Sequence, residues 1–317
     1  MSTNNTQHDL IERFATYVSA YKHSMQYARE ERSAIKRVLY GLQTFGCSYI
    51  FYNLARFKIL PPWGSVRNRF FFGKNMVLPM RDLGTHVFSM YQIAQDKSEI
   101  RLTLWMLKNL RDTDIVYDVG VHLGYYTALA EKVATGGEVH AFEANKRLCH
   151  YLHKNFSNSG RVFITCKAVA GSSGKVEFYD ATDAEDSSTS SRFNLSKSDT
   201  KPSSIPSVSL DAYTRAGHKI PTVIKLDIEG GEYDAIVGAS KLLEDHRPRV
   251  VMEVWGGEMG KQYSQKAVEK LQSLGYRAFA IESDGSISQD HIVDPVAHIS
   301  GHSQNNPRDN FLFIKGS

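Results

Sequence analysis

Ile115-Val116-Tyr117-Asp118-Val119-Gly120-Val121-His122-Leu123-Gly124-Tyr125-Tyr126-Thr127 reads as a short apolar strand that breaks at a glycine and resumes as a helix through Ala128, Leu129, Ala130 and Val133. A strand, a glycine turn and a helix in that order form a nucleotide-type binding corner, because the first helical turn has backbone N–H groups without intrahelical partners. Gly120 is expected to let the chain turn and a ligand approach the backbone, and Gly124 to let the helix pack close to the sheet.

The spacing is Gly-x-x-x-Gly, without the middle glycine that makes room for a pyrophosphate in the dinucleotide fingerprint. A nucleoside ligand lacking a pyrophosphate fits better. S-adenosylmethionine, with an amino-acid end and a sulfonium cation, is such a ligand. An NAD-type oxidoreductase shares the corner, but the missing glycine speaks against it.

A strand and helix alternation runs from the corner to the end of the chain. Glu138 to Phe142, Val162 to Lys167, Val176 to Tyr179, Thr222 to Leu226, Arg249 to Val254, Tyr276 to Ile281 and Asn310 to Ile314 read as strands. Asn145 to Asn155, Asp211 to Ala216, Glu232 to Ala239 and Lys261 to Leu274 read as helices. Such alternation implies a mainly parallel sheet with helices on both faces. The polar run Asp180 to Ser204 is either an inert surface loop or an active-site lid.

Upstream, Met1 to Gln7 reads as a disordered start. Leu10, Phe14, Tyr17, Val18, Tyr21, Met25 and Ala28, then Ile35, Val38, Leu39 and Leu42, recur at helical spacing. They predict two helices or one bent helix, with the aromatic stripe as a packing face. Pro61-Pro62-Trp63-Gly64 ends this part. Phe70-Phe71-Phe72-Gly73 and Met76-Val77-Leu78 read as a small β-hairpin, and Glu99 to Leu110 as the helix leading to the first strand.

The chain has 317 residues, 42% hydrophobic and 23% charged, which is ordinary for a globular protein. Its net charge of +4 is uneven: Met1 to Asp82 holds twelve Lys/Arg and five acids, so the remainder is slightly acidic. A basic segment of this kind meets an acidic substrate, a membrane surface or nucleic acid, or is simply a solvated helical face. Cys47, Cys149 and Cys166 lack metal-type spacing and suit a reducing cytosol. Met1 to Asp9 is too polar for a signal peptide, and Tyr49 to Ala55 is too short to span a bilayer. The expectation is a cytoplasmic protein with no transmembrane segment.

In an open α/β sheet, ligands bind beyond the carboxyl ends of the strands, so acids there carry most information. Glu143 ends the second strand, 23 positions after Gly120, where an acid accepts hydrogen bonds from both ribose hydroxyls of an adenosine-containing ligand. Its structural alternative is an acid favoured by the next helix N-terminus. Lys225-Leu226-Asp227-Ile228-Glu229-Gly230-Gly231-Glu232 is the densest cluster. Asp227 ends the fourth strand, Glu229 and Glu232 open the next helix, and Glu253 lies near the end of the fifth strand. For Glu232 the helix-opening role is favoured. His122, inside the corner, either faces the ligand or reaches a substrate hydroxyl, whereas His291, His298 and His302 have no regular ligand spacing.

Base-methylating chemistry finds no support. The Asp/Asn-Pro-Pro-aromatic motif expected after the fourth strand is replaced by Asp227-Ile228-Glu229-Gly230. Leu60-Pro61-Pro62-Trp63 lacks the polar first residue, and no Pro-Cys pair occurs.

Asp118-Val119-Gly120-Val121-His122-Leu123-Gly124-Tyr125-Tyr126-Thr127, Phe142-Glu143-Ala144-Asn145, Val208-Ser209-Leu210-Asp211, Lys225 to Glu232 and Asn310-Phe311-Leu312-Phe313 resemble the FkbM family of S-adenosylmethionine-dependent methyltransferases. The likeness covers Ile100 to Ile314. It departs at Gly120-Val121-His122, where members usually read Gly-Ala-Asn, and at Ala144, where they usually have proline. The resemblance implies a Rossmann-like class I fold over residues 98–317, with a seven-stranded, mostly parallel sheet. Residues 1–97 form a mainly helical, basic extension. It further implies O-methylation of sugar or polyketide hydroxyls, so the expected partner is a small-molecule or glycan acceptor and not nucleic acid. On this reading Asp118, Gly120, His122, Gly124, Tyr126, Thr127, Glu143, Ala168 and Asp227 hold the cofactor. Asp227 is the first choice of base, with Glu229 and His122 behind it, and no metal site is assigned. An RNA methyltransferase using the basic segment, or a non-catalytic cofactor-binding module, is the alternative.

Overall fold

The computed structural model describes residues 2–61, 63–178, 203–300 and 308–316. Three helices open the chain, α1 (Ser2–Glu30), α2 (Ala34–Phe45) and α3 (Cys47–Arg56). The hairpin strands β1 (Ser65–Arg69) and β2 (Asn75–Pro79) and the helices α4 (Leu83–Tyr91) and α5 (Lys97–Asn109) follow. The alternating part begins with β3 (Ile115–Val119), α6 (Tyr125–Val133), β4 (Glu138–Phe142), α7 (Lys146–Phe156) and β5 (Val162–Thr165). Next come β6 (Ala168–Val169), β7 (Gly174–Phe178), β8 (Ser203–Val208), α8 (Leu210–Arg215), β9 (Val223–Leu226), α9 (Glu232–Val237) and α10 (Ser240–His246). The chain closes with β10 (Arg249–Trp255), α11 (Gly257–Met259), a π-helical turn, α12 (Gln265–Ser273), β11 (Tyr276–Ala280), α13 (Pro295–Ser300) and β12 (Arg308–Lys315).

Seven strands form the main sheet in the order β11-β12-β10-β9-β3-β4-β5. All neighbours are parallel except β12, which runs antiparallel to both β10 and β11. The expected class I architecture is therefore the one observed. Side chains alternate across this sheet, as strand geometry requires. Val116, Val251 and Leu312 enter one apolar core, and Tyr117, Val119, Val250, Met252, Phe311 and Phe313 enter the other. Burial on both faces explains why these strands read as near-continuous apolar runs. Strand order reverses between β3 and β9, so the ends of these two strands flank the point where open sheets bind ligands.

The first core also takes in the amino-terminal elements. Leu10 and Phe14 of α1 are fully buried, and the Phe14 ring lies 4.9 Å from that of Phe71. The Gln7 amide donates to the Leu110 carbonyl at 2.9 Å, so α1 is helical from Ser2 and the expected disordered start is corrected. Asn155 of α7 pairs with both backbone groups of Val77, at 2.7 and 2.9 Å, and so covers the edge of β2.

Other expectations shift. The hairpin is centred earlier, because Phe70, Phe71 and Phe72 form its turn region instead of a strand. They are apolar because the turn is buried in the first core. Helices α4 and α10 and strand β8 carry no clear sequence signal. Of the run Asp180 to Ser204, Ser203 and Ser204 belong to β8, and 180–202 lie outside the described residues. Pro62 and His302 also lie outside them. Cys149 and Cys166 form a disulfide with Cα atoms 5.9 Å apart, which their spacing did not indicate. No described helix is long and apolar enough to cross a membrane.

Because Phe14 fills the core that underlies the sheet, Phe14→Ala is expected to lower the unfolding free energy by about 3–5 kcal/mol. A lower denaturant midpoint at unchanged m value would show it. A loss within error would mean that α1 packs only peripherally.

Candidate active site

The glycine corner is a tight left-handed turn. Gly120, His122 and Gly124 have φ values of +85°, +52° and +88°. At position 122 this conformation favours asparagine or histidine over most side chains, which accounts for the residue types found there. A Cβ on Gly120 would lie 1.7 Å from the Asp227 carbonyl oxygen, and its N–H bonds to the Phe142 carbonyl at 3.0 Å. Gly120 is thus required by the close approach of β9. A Cβ on Gly124 would press on Leu152 of α7 and Met76 of β2, so this glycine serves packing against those elements.

Glu143 follows β4 and is buried, accepting the His122 N–H and the Asn145 N–H at 2.8 Å each. Burial raises its pKa, and the backbone donors and His122 offset this in part. The Nε2 of His122 lies 3.6 Å from Asp82 Oδ2. Burial opposes the imidazolium, but Asp82, Glu143 and Asp227 outweigh it and raise the His122 pKa. Asp82 precedes α4, so the amino-terminal part of the chain reaches into the corner.

Asp118, Tyr126 and Thr127 turn inward and brace the corner. Thr127 Oγ1 donates to Asp118 Oδ2 at 2.6 Å, and the Tyr126 hydroxyl donates to Glu99 Oε2 at 2.8 Å. The Lys225 ammonium lies over the Tyr126 ring, 3.1 Å from Asp227 Oδ2 and 3.8 Å from Asp118 Oδ1. Burial disfavours its charge, yet Asp227, Asp118 and Glu99 prevail and raise its pKa. Ala168 lies in β6, paired with Ser207 on the small three-stranded sheet, apart from the corner contacts.

The carboxyl ends of β9 and β10 bring three acids together. Carboxylate oxygens of Asp227, Glu229 and Glu253 lie within 4.8 Å of one another. Glu229 is held at φ +55°, a costly conformation for a side-chain-bearing residue. The loop that holds it is fixed by Glu232, whose carboxylate accepts Ile228 N–H at 3.0 Å and Gly230 N–H at 2.8 Å. Arg308 of β12 reaches Glu253 at 3.3 Å and Glu229 at 3.8 Å. The Glu253 Oε2 atom is buried without a hydrogen bond, and burial followed by repulsion from Asp227 pushes its pKa well up. Glu99 is raised by burial and by Asp227, and its Oε1 accepts from Asn310 at 3.3 Å.

The structure therefore brings Asp227 and Glu229 into one acidic cluster and places His122 and Glu143 together on the corner. Oxygen donors at this spacing suit a hard divalent cation, although Arg308 already supplies positive charge there. Sequence reasoning missed Arg308, Glu99 and Asp82. Each reads as an ordinary terminal charge of a helix or strand, and only the tertiary fold gives it a partner. A cavity of about 610 Å³ lined by Lys108, Arg111, Asp112 and Arg249 lies at the opposite, amino-terminal ends of the strands.

The fold is the Rossmann-like class I architecture, with this cluster at the carboxyl ends of its central strands. The methyltransferase FkbM domain model matches residues 118–278, just over half of the chain, and the chain belongs to this family. No curated protein matches it in a sequence comparison. Among solved structures, the FkbM methyltransferase of Methylobacillus flagellatus KT is 14% identical with a TM-score of 0.44, covering 87% of this chain and 60% of that one. An S-adenosylmethionine-dependent O-methyltransferase of Thermotoga maritima is 14% identical with a TM-score of 0.39, covering 83% and 82%. Fibrillarin of Aeropyrum pernix with natively bound S-adenosylmethionine is 11% identical with a TM-score of 0.38, covering 68% and 74%. The chain spans 60% of the length of the Methylobacillus protein.

Burial pushes the Glu232 pKa up to about 7. The folded chain then binds more protons than the unfolded chain between the ordinary glutamate range and that value, so stability falls as pH rises through this window. Glu99, Glu143 and Glu253 act in the same direction. Glu232→Gln is expected to flatten the decline by on the order of 3 kcal/mol, read from denaturant titrations between about pH 4.5 and pH 7. An unchanged slope would refute the assignment.

Proposed function

We propose that this chain is an S-adenosylmethionine-dependent O-methyltransferase acting on a hydroxyl of a sugar, glycan or polyketide-type acceptor. The observation that carries the reading is the carboxylate cluster of Asp227, Glu229 and Glu253 beside the glycine corner. The residues present fit the cofactor in two ways. Glu99, Asp227, Glu229 and Glu253 outnumber Lys225 and Arg308, and the buried Glu253 Oε2 has no donor, which suits a cationic ligand. Glu143 keeps acceptor capacity beyond its bonds to backbone N–H groups, which suits a ribose diol.

When bound, the cofactor supplies an electrophilic methyl carbon. Asp227 takes the proton of the acceptor hydroxyl, its Oδ2 anchored by Lys225 and its other oxygen left to accept. The strained loop at Glu229, tied down by Glu232, fixes that carboxylate against reorientation. His122, its backbone N–H bonded to Glu143, sets the position of the ribose-binding carboxylate. Alignment of the reacting groups at roughly 3–3.5 Å supplies much of the rate.

The test is a screen with labelled S-adenosylmethionine over sugars, lipid-linked glycans, polyketides and RNA. Methyl transfer to a hydroxyl of one of the first three is expected, and transfer to RNA alone would replace the acceptor class. With the acceptor in hand, Asp227→Asn should lower kcat by roughly 10²–10⁴ and leave cofactor affinity nearly unchanged. Glu143→Ala should weaken cofactor binding by about 1–3 kcal/mol in calorimetry. Lost affinity in Asp227→Asn with turnover kept at saturation would make Asp227 a binding residue.

A further inference from the structure

Between Arg32 and Arg69 the chain carries seven Lys/Arg residues and no Asp or Glu. The same stretch holds nine of the fifteen large apolar side chains that are exposed among the described residues, which rules out chance scatter over the surface. On α2, Ile35, Val38, Leu39 and Leu42 recur at i, i+3, i+4 and i+7, the stripe an amphipathic helix normally buries. All four face solvent. The inner side of α2 is already engaged: Tyr40 stacks on Tyr27 at 4.1 Å, Phe45 meets Tyr91 at 4.9 Å, and Gly41 lies under the Tyr49 ring. Beyond α3, Phe57, Ile59 and Trp63 are 70%, 66% and 82% exposed, with Lys58 exposed among them.

We infer that α2, together with Phe57, Lys58, Ile59 and Trp63, forms a docking surface for a lipid bilayer with anionic headgroups. Three occupants compete for such a face, and charge and chemistry separate them. A second copy of the chain would set seven cations against seven more, and like charges facing each other oppose assembly. Nucleic acid would satisfy the cations, but it offers nothing to the aliphatic stripe of Ile35, Val38, Leu39 and Leu42, since bases stack on aromatic rings. An anionic bilayer satisfies both. The stripe enters the boundary between headgroups and acyl chains, Lys and Arg reach the headgroups on long stems, and Trp63 sits at the headgroup level. Since no described helix can cross a membrane, the surface lies on the bilayer and not through it. The inference uses residues outside the carboxylate cluster and stands apart from the methyl-transfer reading.

The test uses the full chain and vesicles of phosphatidylcholine with or without phosphatidylserine. Cosedimentation is expected with the phosphatidylserine vesicles, weakened by salt and much reduced with phosphatidylcholine alone. Tryptophan emission should shift to shorter wavelength on binding, and Trp63→Phe should abolish the shift, because Trp105 is buried and Trp255 packs under Arg308 at the end of β10, away from this surface. Lys58→Ala should lower partitioning about fivefold, and Leu39→Asp by roughly tenfold or more, with thermal unfolding unchanged because both positions are exposed. Four results would overturn the inference: no binding to anionic vesicles, binding indifferent to Leu39→Asp, a solution dimer that Leu39→Asp dissociates, or RNA retention that Leu39→Asp abolishes.

Discussion

The contact on which the site depends is the approach of Gly120 to the backbone of Asp227. Strands β3 and β9 are parallel neighbours in register at Val119 and Leu226, and the Asp227 N–H continues the ladder to the Val119 carbonyl at 3.0 Å. One residue later the space a Cβ would occupy at position 120 is filled by the Asp227 carbonyl. Any other residue at 120, already at positive φ, would push the two strand ends apart. The acid that ends β9 and the turn that follows β3 are therefore held at a fixed separation by the sheet itself.

A second constraint comes from outside the alternating part of the chain. Asp82 faces His122, and Glu99 receives the Tyr126 hydroxyl and the Asn310 amide. Both acids precede β3, and the helices around them share one apolar core with α6 and the sheet. Core packing and polar contacts thus act together: Phe14, Phe71 and Trp105 set where α1, the hairpin and α5 lie, and that placement aims Asp82 and Glu99 at the corner.

How much of this the sequence showed follows from where each residue obtains its partners. The central strands were legible because burial on both faces leaves a local signature, the continuous apolar run. Asp227 and Glu143 were legible because strand ends can be counted from those runs. The hairpin was misplaced since Phe70, Phe71 and Phe72 look like strand residues although they line a buried turn. The α2 stripe at Ile35, Val38, Leu39 and Leu42 has the right period for a packing face, but periodicity cannot tell which side of a helix finds a neighbour. Arg308, Glu99 and Asp82 were illegible for a related reason: their roles exist only after strands and helices distant in sequence have met. The likeness at Asp118 to Thr127 gave no sign that Asp118, Tyr126 and Thr127 would bond to one another's neighbours, since Glu99 and Lys225 come from distant parts of the chain.

The acidic centre is costly to the fold that holds it. Burying a carboxylate without full compensation is unfavourable, and a group that resists ionisation in the folded state lowers stability at neutral pH. Glu99, Glu232 and Glu253 are all displaced in this direction by burial and by Asp227, and Glu253 also by Glu229 and Glu99. Lys225 and Arg308 relieve part of the strain but leave the carboxylates in excess, and Glu253 Oε2 receives no donor. A chain selected for stability alone would replace one of these acids with an apolar residue of similar size. The strained φ of Glu229 points the same way, since Gly230 beside it shows that glycine is available to the loop. Two independent costs, one electrostatic and one conformational, therefore converge on the same few residues at the carboxyl ends of β9 and β10. Costs that converge in this way mark a functional site, where strain and buried charge are kept despite what they cost the fold.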